Sequence, residues 1–381
     1  MPKLRFDQIA INSKEKKKPV ESDKDTYIGL EHLDSGVLEV TRWGSEVAPI
    51  GDKLVMRKGD ILFGRRRAYQ KKVAIAPFDG IFSAHGMVLR PKTDVVTPEF
   101  FPFFISSDYF LDAAINISVG SLSPTINWRD LCELEFNIPT IDEQNRVSGV
   151  LWGINRLRTA YIALLNQTDE LVRSQFIEMF GTSKNNPMNW PQQKLSELAD
   201  VGSSKRVFVS ELKEEGIPFY RGTEVGALAV GETIVPELFI TKEHYEALKA
   251  ATGVAKPGDL LMPSICPDGR IWQVDTETPF YFKDGRVLWV HIRNYKLNST
   301  YLLHLLKEII RSDYGRIASG TTFVELKIFA LKDLSIMLPD LFLQERYETL
   351  VQRADKSKLA IRQSLESLEK SRNAIMNQIF G

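Results

Sequence analysis

Two cysteines, Cys132 and Cys266, are all that 381 residues carry, which excludes a disulfide framework and a thiolate metal cluster. The five histidines, at 32, 85, 244, 291 and 304, show no ligand spacing, so no metal site is expected. His85 and His291 read as strand residues at the core or its rim, and Cys132 as a buried residue of an apolar strand. No apolar run approaches the roughly 18 residues of a membrane span. The opening Met1-Pro-Lys-Leu-Arg-Phe-Asp has no apolar signal core, so a soluble, cytoplasmic chain with no membrane partner is expected. Neither sign of charge is in surplus, with 49 basic and 49 acidic residues. That balance argues against a protein that coats nucleic acid non-specifically, which needs excess Lys and Arg. It leaves room for a reader whose positive charge is local, and one cluster of that kind is present: Arg65-Arg66-Arg67-Ala68-Tyr69-Gln70-Lys71-Lys72.

What the chain does have is enough apolar residue to fold. Hydrophobic residues make up 43% and charged ones 26%, with mean hydropathy −0.17, which excludes a fibrous or disordered chain. The length suggests two or three domains.

The chain also repeats itself at an interval of about 200 residues. Gly120-Ser121 falls on Gly320-Thr321, Ile126 on Leu326, and Leu131 and Leu134 on Leu331 and Leu334. Ile138-Pro139 meets Leu338-Pro339, Gln144 meets Gln344, Arg146 meets Arg346, and Phe180-Gly181 meets Phe380-Gly381. Upstream, Gly59-Asp60-Ile61-Leu62 matches Gly258-Asp259-Leu260-Leu261, and Tyr27-Ile28-Gly29 is a looser match to Tyr220-Arg221-Gly222. So many matches in one frame imply an internal duplication.

Each copy has two parts. Residues 1–141 and 182–341 alternate short β-forming runs, such as Val73-Ala-Ile-Ala, Gly86-Met-Val-Leu-Arg and Val287-Leu-Trp-Val-His-Ile, with helical stretches around Pro98–Ala114 and Ser299–Arg311. They read as mixed α/β globules, so the fold class is α+β. Residues 142–181 and 342–381 read as long helices of roughly 50–55 Å. In the first, a heptad seam runs through Val150, Ile154, Leu157, Tyr161, Leu164, then Leu171 and Gln175, with Thr168 as a polar member. In the second it runs through Ala354, Ile361, Leu365, Leu368, Ile375 and Ile379, interrupted by Lys358 and Arg372. Each apolar face needs a partner, and the other repeat's helix, paired antiparallel as a coiled coil, is the expected one. The plainer alternative is that each helix packs on its own globule.

The order globule, long helix, globule, long helix resembles the specificity (S) subunit of type I restriction–modification enzymes. The likeness rests on several motifs, each present twice: the Gly-Ser/Thr loops before Asn137-Ile138-Pro139 and Met337-Leu338-Pro339, the helix starts Asp142–Val147 and Leu343–Tyr347, the Gly-Asp-Ile/Leu-Leu strands, and the Phe-Gly helix ends. It spans essentially the whole chain. Two departures are Thr140 and Asp340, where the family often has a second Pro, and Leu343, where a Glu is usual before the Gln. The resemblance implies a non-catalytic subunit in which each globule is a target-recognition domain reading one half of a split, asymmetric sequence in double-stranded DNA. The paired helices would set the gap and dock two methyltransferase (M) subunits, through which restriction (R) motor subunits join. S-adenosylmethionine, ATP and magnesium would belong to those partners, with no cofactor on this chain. A spacer of roughly 50 Å exceeds one DNA turn of about 34–36 Å, so both readers could face one side of a duplex.

Arg suits guanine edges through a bidentate fork, and Asn or Gln suits adenine. In the first globule the candidate readers are Arg65, Arg66, Arg67, Tyr69, Gln70 and Lys71, after the Gly-Asp-Ile-Leu strand. Three adjacent Arg on a strand cannot all point one way, and a solvated charge run is the bland account of them. In the second globule the candidates are Arg221 and Thr223, then Ser264, Arg270 and Trp272 in the equivalent turn. Ser121, Thr321 and Thr322 lie in loops whose hydroxyls and N–H groups suit phosphates, or are simply turns.

Catalytic readings fare worse. Glu325-Leu326-Lys327 has the Glu-x-Lys form of a metal-dependent nuclease, but its repeat equivalent is Thr125-Ile126-Asn127 and no Asp lies at the usual distance. Asn186-Pro187-Met188-Asn189-Trp190 lacks the second Pro and the Gly-rich cofactor loop of an amino-methyltransferase. Two other readings stay open: a specificity subunit serving a different methyltransferase–nuclease or phage-defence complex, and a two-domain protein scaffold that never touches DNA.

Overall fold

A computed structural model of the chain describes residues 2–182, 184–320 and 324–380. The chain divides into two compact units. One comprises Met1–Ile162 with Arg362–Gly381, the other Ala163–Ile361, so each long helix is shared between them at its middle.

In the first unit, Lys3–Arg5 pairs antiparallel with Glu135–Asn137, tying the start of the chain to the strand that leads into the long helix. An antiparallel four-stranded sheet follows in the order Ala10–Ser13, Met87–Pro91, Ile61–Phe63, Val73–Ile75. The middle strands are fully buried or nearly so, as continuous apolar runs such as Ile61-Leu62-Phe63 demand. In a second sheet, Tyr27–Ile28 runs parallel to Gly80–Phe82. Helices Phe101–Ile105 and Asp108–Asn116 complete a core rich in Phe. Phe6, Phe104, Phe110 and Phe136 meet there with ring centroids 5.0–6.5 Å apart. Val147 and Leu151 enter this core from one long helix, and Met376 and Ile379 from the other.

The second unit repeats these pairings. Gln192–Lys194 pairs with Ser335–Met337, and the four-stranded sheet runs Ala199–Ser203, Val287–Ile292, Leu260–Pro263, Trp272–Gln273. Ile217–Tyr220 runs parallel to Tyr281–Phe282. That register places Tyr220 opposite Phe282 where Ile28 stands opposite Phe82. The match of Tyr27 with Tyr220 is therefore one residue out; Ile28 is the structural counterpart. Helix Ser299–Ile317 buries Tyr301, which stands 4.8 Å from Phe180; Phe180 and Phe176 in turn pack beside Tyr347.

Two repeated motifs have structural work to do. Gly59 and Gly258 adopt φ of 91° and 90°, which glycine permits at no steric cost. The Asp that follows closes the turn by accepting from the backbone N–H of Arg57 or Lys256. Asp60 then binds Arg90 through both oxygens, and Asp259 accepts from Trp289 and contacts His291. Gln144 and Gln344 are fully buried. Gln144 accepts from Thr97 N–H and donates to the carbonyls of Val95 and Pro139. Gln344 does the same with Asn298, Lys296 and Pro339, despite Leu343 before it.

The long helices span Ile141–Phe180 and Leu341–Phe380. On the first, four members of the expected seam are on the wrong face: Val150, Leu157, Leu164 and Leu171 are 51%, 51%, 44% and 59% exposed. The inward line is Leu151, Arg158, Leu165 and Val172, one residue on, while Ile154 and Tyr161 are half-buried. Both lines keep a seven-residue step, and the packed one admits a cation because Arg158 meets Glu369 at 2.7 Å within the first unit. On the second helix, Ile361, Leu365, Leu368 and Ile375 are half-buried and Ile379 is buried. Lys358 lies on the same line and pairs with Asp169 and Asp355. Two smaller expectations also fail. Cys132 is half-buried at the end of helix Trp128–Leu131, and His85 sits exposed in a turn, because the strand Met87–Pro91 starts after it.

Candidate nucleic-acid interface

In the first unit the strand Ile61–Phe63 runs out at Gly64, and the chain turns through Arg65–Lys71. Arg67 and Lys71 take left-handed φ of 54° and 48°, bracketing the single turn Ala68–Gln70. The Gly120 loop is fastened to this segment by backbone bonds, Ile126 N–H to Arg65 O at 2.9 Å and a bridge between Arg66 and Thr125. The repeat bond is Leu326 N–H to Ser264 O at 2.7 Å. The register between the two loops is thus a property of the backbone, and their side chains are free to differ.

The expected readers do not behave as one cluster. Arg66, Arg67, Tyr69 and Ser121 are exposed, and Gln70 is half-buried. Arg65 is half-buried with its Nε enclosed and without a hydrogen-bond partner among the described residues. Lys71 turns away to Asp108 and Asp112, at 2.6 and 2.8 Å. Burial works to lower its pKa, but those two carboxylates more than offset it and hold the ammonium charged.

In the second unit Arg221, Thr223, Ser264 and Arg270 line one cavity of about 570 Å³, with Phe219 and Leu238 among its apolar walls. Sequence reasoning passed over two further cations that line it, Lys283 and Arg286; they stand before the strand Val287–Ile292 and carried no repeated motif to mark them. Arg221 follows the strand Ile217–Tyr220 and caps helix Gly222–Leu228. Its Nε donates to both oxygens of Glu224, at 3.0 and 3.2 Å. Burial alone would raise the Glu224 pKa, yet the Arg221 side chain and the surrounding N–H and hydroxyl donors hold it at about 2. Arg270 pairs with Asp268, Lys283 with Asp284, and Arg286 with Glu325. The Glu-x-Lys pair is absorbed in this way, since Glu325 faces Arg286 and Lys327.

Two expected readers are interior instead. Trp272 is 6% exposed, packed against Phe280 and hydrogen-bonded to Asp275, because its pairing with Leu261 points it into the sheet's core. Ser264 is 3% exposed, and its backbone is spent on Arg286 and Leu326. Thr321 and Thr322 lie outside the described residues. Among the described residues no group of three or more His, Cys, Asp or Glu could hold a metal ion, and no helix is long and apolar enough to cross a membrane.

Residues 10–156 match the family described as Type I restriction modification DNA specificity domain. The Escherichia coli Type I restriction enzyme EcoDI specificity subunit is 27% identical over 146 residues, 38% of this chain and 32% of its own length, so the match spans about a third of that relative. The MjaVIII specificity subunit of Methanocaldococcus jannaschii is 21% identical over 372 residues, 93% of this chain and 84% of that one. A solved chain from work on complex assembly and conformational transition of the type I R-M system superposes with a TM-score of 0.55 at 20% identity, over 100% of this chain and 97% of that one. The type I restriction–modification S subunit from M. genitalium gives 0.54 at 15% identity, over 100% and 96%. At such identities the two structures speak for the fold alone. Residues 10–156 thus match a type I restriction modification DNA specificity domain, and the chain is similar in sequence to specificity subunits of type I restriction enzymes.

Proposed function

We propose that each unit carries one target-recognition surface, and that together they read the two unlike halves of a split, asymmetric DNA sequence. The observation that carries this is the pairing of one strand framework with two different loop sets. The backbone bond from Ile126 to Arg65 recurs from Leu326 to Ser264, while the side chains around it are Arg66, Arg67 and Tyr69 in one unit and Arg221, Arg270 and Arg286 in the other. A shared frame with unlike side chains suits unlike half-sites. Within the first unit, Leu151 shares a core with Met376 and Arg158 pairs with Glu369; within the second, Tyr347 bonds to Val172 and Lys358 to Asp169. These contacts support an antiparallel pair of helices, and the repeated strand pairings support a duplication.

The chain itself performs no catalysis in this reading. Two methyltransferase subunits dock on the helices, restriction subunits join through them, and S-adenosylmethionine, ATP and magnesium act there, in the cytoplasm. A groove of about 1080 Å³ between residues 164–179 and 342–361, with Leu164, Leu171 and Phe342 exposed along it, supports such docking. The test is methylation mapping by single-molecule sequencing in cells expressing the chain with its neighbouring methyltransferase. A split asymmetric motif with a constant gap is expected. A palindromic motif would mean the units read alike, and no methylation from a confirmed soluble complex would overturn the reading.

A further inference from the structure

The basic residues around the second unit's cavity are neutralised from within. Arg270, Lys283 and Arg286 each face a carboxylate, and Arg221 faces two. The two partners of Arg221 differ in kind. Glu224 is 12% exposed, takes the Nε edge of the guanidinium, and also accepts from the Arg221 backbone N–H at 2.8 Å and the Thr223 hydroxyl at 2.9 Å. It is built in and aims the side chain. Glu237 is 72% exposed and, among the described residues, makes one polar contact, 2.9 Å to Nη2. A guanidinium offers two forks, Nε with Nη2 and Nη1 with Nη2. Glu224 fills the first, so Glu237, held by Nη2 alone, stands at the shared nitrogen of the second, the fork left for a phosphate or a guanine edge.

We propose that Glu237 is an exchangeable internal stand-in for DNA, covering the free fork of Arg221 until a target duplex displaces it, and thereby suppressing binding to non-target sequence. This rests on the DNA-reading function proposed above. An exposed ion pair is worth little in water, so a well-fitted site displaces it readily. A loosely held duplex offers fewer compensating contacts and gains less from the exchange, which makes the carboxylate a selective obstacle. The chain's zero net charge is in keeping with this, since a naked basic cleft would bind any duplex.

The test compares the full chain, in complex with its methyltransferase, with its Glu237→Gln, Arg221→Lys and double variants. Glu237→Gln keeps size and polarity at a surface position, and Arg221→Lys keeps a cation for Glu224; melting curves verify that each folds. Anisotropy titrations use a random-sequence duplex and the mapped target duplex over a range of salt. Glu237→Gln should tighten random-duplex binding roughly three- to tenfold and steepen its salt slope by about one ion. Target binding should change less, and Arg221→Lys should remove the gain. If Glu237→Gln leaves the random duplex unchanged, the inference falls while the reading stands, whether or not Arg221→Lys weakens the target. If the wild-type complex binds neither duplex, the reading itself fails and takes the inference with it.

Discussion

Single side chains here divide into those that hold the frame and those that face out, and residue type alone did not separate them. Gln144 and Gln344 are polar, repeated and near a helix start, yet both are interior fasteners with three backbone partners each. Gln144→Ala should cost about 2–4 kcal/mol, since it leaves buried N–H and C=O groups unpaired; chemical denaturation of the variant checks this. Arg66 and Arg67 are exposed and make no ion pair among the described residues. Replacing each by Ala should weaken target binding by about 1–3 kcal/mol per true base contact and leave melting unchanged. Unchanged affinity would strike that residue from the interface. His304 packs beside Phe176 and Tyr347, and burial lowers its pKa from 6.5 to about 3. Its unfolded form takes up a proton below about pH 6.5 while the folded form does not. Stability should therefore fall from pH 6.5 toward 3, and a His304→Leu variant should show a shallower decline in melting temperature over that window.

At the scale of elements, the long helices show how a heptad pattern can be read off by one. Lines through 150, 157, 164 and 171 and through 151, 158, 165 and 172 step alike, and the first is the more apolar. Packing took the second, because Leu151 and Val172 reach cores and Arg158 finds Glu369. Leu164→Glu with Leu171→Glu should leave the melting temperature near wild type and abolish co-purification of the methyltransferase. Phe176→Ala, by contrast, removes a fully buried ring and should cost about 3–5 kcal/mol. A double variant that still co-purifies would show the exposed leucines to be ordinary surface, and one that unfolds would show that they support the fold instead.

At the scale of the molecule, the first unit is discontinuous in sequence. Its core includes Met376 and Ile379, and Phe380 stands 5.8 Å from Phe104 and stacks on Tyr109 at 5.0 Å. A fragment of residues 1–162 should therefore melt low and broadly, and gain stability when a peptide of residues 362–381 is added. Circular dichroism with and without the peptide reads this directly; no gain would mean that the terminal residues contribute nothing to that core.

The mixed α/β class, the long helices and the Arg-rich turn were legible in the sequence, because each depends on local order: spacing, alternation and composition survive without knowledge of the fold. Which seam line packs, which Gln fastens a helix, and which of Ser264, Arg270 and Trp272 faces out were decided only in three dimensions. Those outcomes depend on partners far along the chain, such as Glu369 for Arg158, Val95 for Gln144 and Glu237 for Arg221. A sequence pattern specifies what a side chain can do; the tertiary structure, by choosing its neighbours, leaves it one thing to do.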